Sequence, residues 1–203
     1  MSTDSERATF YYDLGSPYAY LAAERVNSVF AEWDVGPPEW QPILLGGLFQ
    51  RFGRDSWGNG PERDRGMREC ESRAAAYGLP PIRWPDPWPP NGLSAMRAAT
   101  FAKEIGRTVS FSLAAFRQAF AAGRDLGEPD NVLLAAAAAE IHPRAMLAAV
   151  ERDSLKGALR EATDRAGDLG VRGVPSVVVD GEVFWGDDHL ELAAAAAARP
   201  RDR

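Results

Sequence analysis

The first patterned stretch is Ala8-Thr9-Phe10-Tyr11-Tyr12-Asp13-Leu14, short, aromatic and almost continuously apolar. Such a run predicts a strand buried on both faces of a sheet. Gly15-Ser16-Pro17 stops it. From Tyr18 to Phe30 the positions Tyr18, Leu21, Ala22, Val26 and Val29 fall three or four apart, which predicts a helix, with Arg25 an interruption on its edge. Ser16 before Pro17 is a helix opening, because serine answers free amides and proline at the first position loses nothing. Trp40 to Leu45 predicts a second strand, with Pro42 marking an edge position or the strand's start. Strand, helix and strand in that order form a βαβ-like unit and favour an α/β fold.

Gly46 to Pro90 changes character and is rich in Gly, Pro, Trp and Arg. A helix is expected from Pro61 to Tyr77, stopped by Gly78. Pro80 to Pro90 carries too many prolines for a helix or a central strand. We read it as a rigid surface connection, the alternative being an aromatic wall over a pocket. Asn91 to Val150 is helical throughout, with helices over Ser110–Ala122 and Val132–Ile141, another opened by His142-Pro143, and a last one over Ser154–Leu169.

The pattern then returns to strands. Val174 to Val179 and Glu182 to Trp185 flank Asp180-Gly181, a two-residue hairpin signal. Asp188 to Ala198 is an alanine-rich helix. Residues 1–45 and 170–203 together make one small sheet with its helices, and residues 46–169 are an inserted helical domain. That layout is a thioredoxin-like α/β fold.

Composition narrows the function classes. The chain has 203 residues, 45% hydrophobic and 26% charged, with a net charge of −6, which argues against nucleic-acid binding by a basic surface. A single cysteine, Cys70, excludes an intramolecular disulfide and any two-cysteine redox cycle within the chain. Two histidines and one cysteine cannot supply a His/Cys metal cage, so no metal is expected. No apolar window is long enough to cross a membrane. Met1 to Arg7 is polar and acidic, unlike a secretory signal, so a cytoplasmic address is expected.

The chemistry of a thioredoxin-like fold sits at the start of the first helix, here Ser16-Pro17-Tyr18-Ala19. With Ser and Ala where a redox protein carries cysteines, dithiol exchange is lost. The free amides and the helix dipole still stabilise an anion there. A hydroxyl at that point can donate to a thiolate brought in by a ligand and lower its pKa. Taken alone, Ser16 reads as an ordinary cap, Pro175 as a strand-initial proline, and Asp187-Asp188 as helix-start acids. Cys70, between Glu69 and Glu71, reads as a packing residue, because neighbouring carboxylates disfavour a thiolate. His142 and His189 read as residues at helix starts.

Four segments, taken together, resemble the DsbA-like family: Phe10 to Leu21, Leu93-Ser94-Ala95-Met96-Arg97, Gly173-Val174-Pro175-Ser176 and Phe184-Trp185-Gly186-Asp187-Asp188. The likeness is to its 2-hydroxychromene-2-carboxylate isomerase and kappa-class glutathione transferase branch, in order along the chain. The resemblance implies a thioredoxin domain with a helical insertion, and glutathione or another low-molecular-weight thiol as cofactor. It implies Ser16 beside the sulfur, Pro17, Tyr18 and Val174 around the tripeptide, and Asp187 and Asp188 at its γ-glutamyl end. Asn59 or Arg54 stands for the family's ligand-contacting asparagine. It also implies a cis bond before Pro175 and a homodimer.

The expected activity is thiol-dependent isomerisation of, or transfer to, a small electrophilic aromatic substrate, with Trp57 and Trp84 to Trp88 shaping its pocket. The rival is a non-catalytic module binding thiols or peptides. An oxidoreductase working through Cys70 alone is the third reading, disfavoured by the missing second thiol.

Overall fold

The computed structural model describes residues 8–200. Met1 to Arg7, read above as a polar start, lie outside the described residues. Four strands, β1 (Thr9–Tyr12), β2 (Glu39–Pro42), β3 (Ser176–Val179) and β4 (Glu182–Trp185), form one sheet in the order β2-β1-β3-β4. β1 is parallel to β2 and antiparallel to β3, and β3 is antiparallel to β4. The aromatic run is therefore a central strand, and Phe10 and Tyr12 are fully buried. β2, with its proline, takes the edge, where a missing N–H costs no ladder bond. The β3–β4 turn puts Asp180 at φ 48° and Gly181 at φ 83°. Both are positive, as the tight hairpin turn demands.

Ten helices cover most of the remaining described chain. Two, α1 (Pro17–Ala23) and α2 (Val26–Glu32), replace the single helix expected over Tyr18–Phe30. The break falls at Glu24-Arg25, where the Arg25 guanidinium reaches back to donate to the Asp187 carbonyl at 3.0 Å and lies 3.8 Å over the Tyr77 ring. The second strand ends at Pro42 rather than Leu45, and α3 (Leu45–Phe52) starts at once. No helix was expected there, because Gly46-Gly47 weakens helix propensity. Gly47 has a packing reason: a Cβ at this position would come within 3.0 Å of Thr163 Cγ2.

The others are α4 (Arg63–Ala76), α5 (Leu93–Glu104), α6 (Thr108–Phe116), α7 (Pro129–Ala138), α8 (Pro143–Ala149), α9 (Asp153–Asp168) and α10 (Leu190–Ala197). The run expected as a helix to Ala122 loosens after α6 into a π-helical turn, Arg117–Ala121. His142 caps α8 by accepting the Arg144 N–H on Nδ1 at 3.2 Å. α10 packs on α2 and β3, while α5 and α9 pack on β2. The Tyr12 hydroxyl, buried by Phe116 and Trp40, meets Ser112 Oγ at 2.6 Å and so ties the central strand to α6.

The loop after β1 is clasped by its own acid. Asp13 accepts from the Gly15 N–H and from the Leu45 N–H, both at 2.8 Å, so one carboxylate joins the approaches to α1 and α3. Burial raises its pKa, against the pull of those two amides. Asp13→Asn keeps one acceptor and turns a donor toward the second amide. The variant is expected to lose about 1–3 kcal/mol of stability, read by chemical denaturation.

Candidate active site

Two chambers meet at the start of α1. The larger, a cleft of about 580 Å³, runs between the α1 loop, α3 and the Trp88-Pro89-Pro90 segment. The smaller, about 220 Å³, runs from α1 past Gly173-Val174-Pro175 to Asp187 and Asp188. Ser16, Leu45, Phe49, Arg54 and Trp57 line both. Ser16 is the only hydroxyl residue among these shared walls.

Ser16 owes its position to capping. It takes an extended conformation (φ −94°, ψ 118°), and its Oγ accepts the Ala19 N–H at 3.2 Å. That bond uses an oxygen lone pair and leaves the hydroxyl proton free to be donated. The residue is only 5% exposed. Capping and ligand binding are therefore compatible roles for one side chain. The opposite wall of the smaller chamber is the Val174–Pro175 peptide, which is cis. Among the described residues neither the N–H nor the C=O of Val174 has a backbone partner, whereas the Pro175 carbonyl accepts the Gly186 N–H at 3.0 Å.

The far end of the smaller chamber is an ionic cluster. Asp187, 1% exposed, accepts from Arg73 on Oδ1 and from the Tyr77 hydroxyl on Oδ2, each at 2.8 Å. Burial raises its pKa, while Tyr77 and Arg73 pull it down. Asp188 is about half exposed, and its pKa lies below the usual carboxylate range. Burial opposes that shift, and the hydrogen bond from its own N–H, Arg73 and His189 outweigh it.

Tyr18 lies against Trp57, ring centroids 6.0 Å apart, with the Arg73 guanidinium 5.4 Å from its own ring. Its pKa is raised by burial first and then by Cys70 and Glu69. Beneath it Cys70 is fully buried. Burial pushes the Cys70 thiol up to about 12, against the hydrogen bond with Tyr18 that lowers it. Thiol below its pKa stays protonated, and only thiolate reacts. Native protein at pH 8 is therefore expected to resist an aromatic disulfide reagent that labels the denatured chain at once, a difference read by absorbance.

Of the residues singled out in the sequence, the fold places Ser16, Tyr18, Val174, Asp187 and Asp188 on the smaller chamber, and Pro17 and Asn59 on the larger. Asn59 is exposed on a short turn, Trp57–Asn59, and only Arg54 of the two alternatives reaches both chambers. The Pro80–Pro90 segment corrects our preferred reading. Trp88 is 5% exposed, donates from Nε1 to the Gly15 carbonyl at 3.2 Å and packs 4.8 Å from Trp57. It is a wall of the cleft, because its indole is needed to cover the α1 loop. Arg73 and Tyr77 were missed. Their signal was an arginine in the last turn of α4 and a tyrosine four residues on, just past its end, facing an acidic pair far along the chain.

A model of the DSBA-like thioredoxin domain matches residues 8–198. The chain belongs to that family. Within it, the chain is similar to a 2-hydroxychromene-2-carboxylate isomerase from Sphingobium xenophagum, 26% identical over 190 residues, 90% of this chain and 93% of that protein. Among solved structures it is similar to a 2-hydroxychromene-2-carboxylate isomerase (TM-score 0.81, 19% identity, 93% of each chain). It is also similar to a probable DsbA oxidoreductase from Streptomyces coelicolor (TM-score 0.71, 21% identity, 97% of this chain and 92% of that one). Among the described residues no helix is long and apolar enough to cross a membrane.

Proposed function

We propose that the protein is a thiol-dependent isomerase of small electrophilic aromatic compounds, with Ser16 holding the thiol's sulfur as thiolate. The observation that carries this reading is the place of Ser16 at the seam of two chambers. A guest thiol in the smaller chamber and an acceptor in the larger one would meet over its hydroxyl.

The residues fit such a guest. The Val174 backbone offers an N–H and a C=O without partners, a match for an extended peptide-like ligand. Ser16 donates its free proton to the sulfur, and the positive end of α1 favours the anion, together worth about 1–3 kcal/mol. Each 1.4 kcal/mol, about one pKa unit, brings an ordinary thiol nearer to ionising at neutral pH. When bound, the thiol supplies a nucleophile that adds reversibly to an unsaturated carbon, so that bond rotation and its departure leave the isomer. Leu45, Phe49, Trp57 and Trp88 give the acceptor a flat apolar seat that excludes water. The 26% identical relative is named for isomerising a fused-ring aromatic acid, which agrees with that seat.

The test is conversion of 2-hydroxychromene-2-carboxylate followed by absorbance with and without glutathione or other small thiols. Turnover that depends on an added thiol is expected. Tight thiol binding with no turnover of any electrophile would instead make the protein a binding module.

A further inference from the structure

A thiolate adds readily to a carbon–carbon double bond when a conjugated carbonyl can take up the displaced electron pair. As the S–C bond forms, the π pair passes to that oxygen as an enolate. When the S–C bond breaks, the pair returns. The charged oxygen lies within a few bonds of the sulfur, so a donor for it must stand at the seam of the two chambers. Among the residues lining both, Ser16, Arg54 and Trp57 carry side-chain donors. In the reading above, the Ser16 hydroxyl goes to the sulfur. Arg54 is exposed, already donates to the Arg172 carbonyl at 3.1 Å and lies 5.0 Å over the Trp185 ring. Water weakens what such a cation offers.

Trp57 is set more firmly. A Cβ at Gly66 of α4 would collide with its Cε3 and Cζ3, so the glycine makes room for the benzo edge of the indole. The opposite edge, which carries Nε1, is turned away from α4. Tyr18 and Trp88 pack against the ring, with centroids 6.0 and 4.8 Å away. Ser56 caps the turn that carries it, its Oγ accepting the Gly58 N–H at 3.2 Å. Buried indoles usually place their N–H on a partner. Trp40 donates to Asn27 at 3.1 Å, Trp84 to Glu71 at 2.8 Å and Trp88 to the Gly15 carbonyl at 3.2 Å. Trp33 and Trp185 are 45% and 47% exposed and open to water. Trp57 is half-buried, and its Nε1 has no partner among the described residues.

Resting on the thiol-dependent reading above, we propose that the Trp57 indole N–H is the donor that receives the acceptor's carbonyl oxygen as its charge develops. An indole nitrogen only donates, so the proton stays on it throughout. A donor fixed in advance by packing costs no reorganisation when the charge appears. Ser16 and Trp57 then divide the reaction: the hydroxyl serves the sulfur and the indole serves the oxygen.

The test is Trp57→Phe, together with replacement of Trp57 by benzothienylalanine, which keeps the outline of the indole against Gly66 and puts a sulfur in place of the N–H. With glutathione and 2-hydroxychromene-2-carboxylate, both changes are expected to lower kcat about 10²-fold while KM moves by less than about threefold. The melting temperature of the benzothienylalanine protein, and its calorimetric affinity for glutathione, should match those of the wild type. A wild-type kcat in that protein, or a loss carried by KM alone, would overturn the donor role and leave the thiol-dependent reading standing. Wild-type protein that shows no turnover, or turnover that needs no thiol, would overturn that reading and the donor role with it.

Discussion

Ser16→Ala is expected to lower kcat/KM about 10²-fold or more, the scale seen when one preorganised donor to a developing or bound anion is removed. The loss should fall mainly on the reactive state of the thiol. Binding of the thiol's peptide portion, which the proposed function seats against the Val174 backbone, should change little. Ser16 also caps α1 through the Ala19 N–H. Alanine there removes about 1 kcal/mol of helix stability. The two effects separate by measurement: thermal melting reads the cap, and the rate against pH reads the thiolate. Ser16→Thr keeps a hydroxyl and a cap, so it should retain most of the melting temperature and part of the rate. If Ser16→Ala turns over at the wild-type rate, the hydroxyl has no part in the chemistry.

Arg73→Met is expected to be the most destabilising change at the site. The salt bridge to Asp187 is poor evidence of net stability in itself, because desolvation offsets attraction. Removing one partner is different, since Asp187 would stay at 1% exposure with the Tyr77 hydroxyl as its remaining side-chain donor. Arg73 is partly open to solvent, so the cost is set at about 2–3 kcal/mol by denaturant unfolding. Its pH dependence has a definite sign. Asp187 has a pKa raised in the folded protein, so the folded state holds its proton more firmly than the unfolded chain. Stability from such a group is fullest at low pH and declines as pH rises from the unfolded value through the folded one. Without Arg73 the folded pKa rises further and the decline reaches higher pH. The deficit of Arg73→Met should therefore be larger at pH 8 than at pH 5.

The parts of the fold that show in the chain are those set by local rules. β1 reads from its aromatic run, the start of α1 from Ser16-Pro17, the hairpin from Asp180-Gly181. Where two local rules conflict, the reading fails. Leu45, Leu48, Phe49 and Phe52 carry a helical spacing, but Gly46-Gly47 masks it, and only contact with Thr163 explains the glycine. Arg25 breaks a helix because it answers residues more than 160 positions away, which no window can hold. The site divides in the same way. Ser16 was visible as a cap, and its likeness to a family made it more. The guanidinium of Arg73 was invisible, because on α4 it is one charged residue among many and becomes distinctive only beside a buried acid. Trp88 was visible as an aromatic among prolines, yet proline-rich segments more often lie on surfaces, and that general rule lost to a single indole reaching the Gly15 carbonyl.

The six prolines between Pro80 and Pro90 have a thermodynamic effect on whatever enters the larger cleft. Each restricts the unfolded chain more than another residue would, so the loop's disorder is surrendered during folding rather than on encounter. A guest settles against a face that is already stiff. Its affinity is then governed by shape and dehydration, with little subtracted for quieting a restless loop.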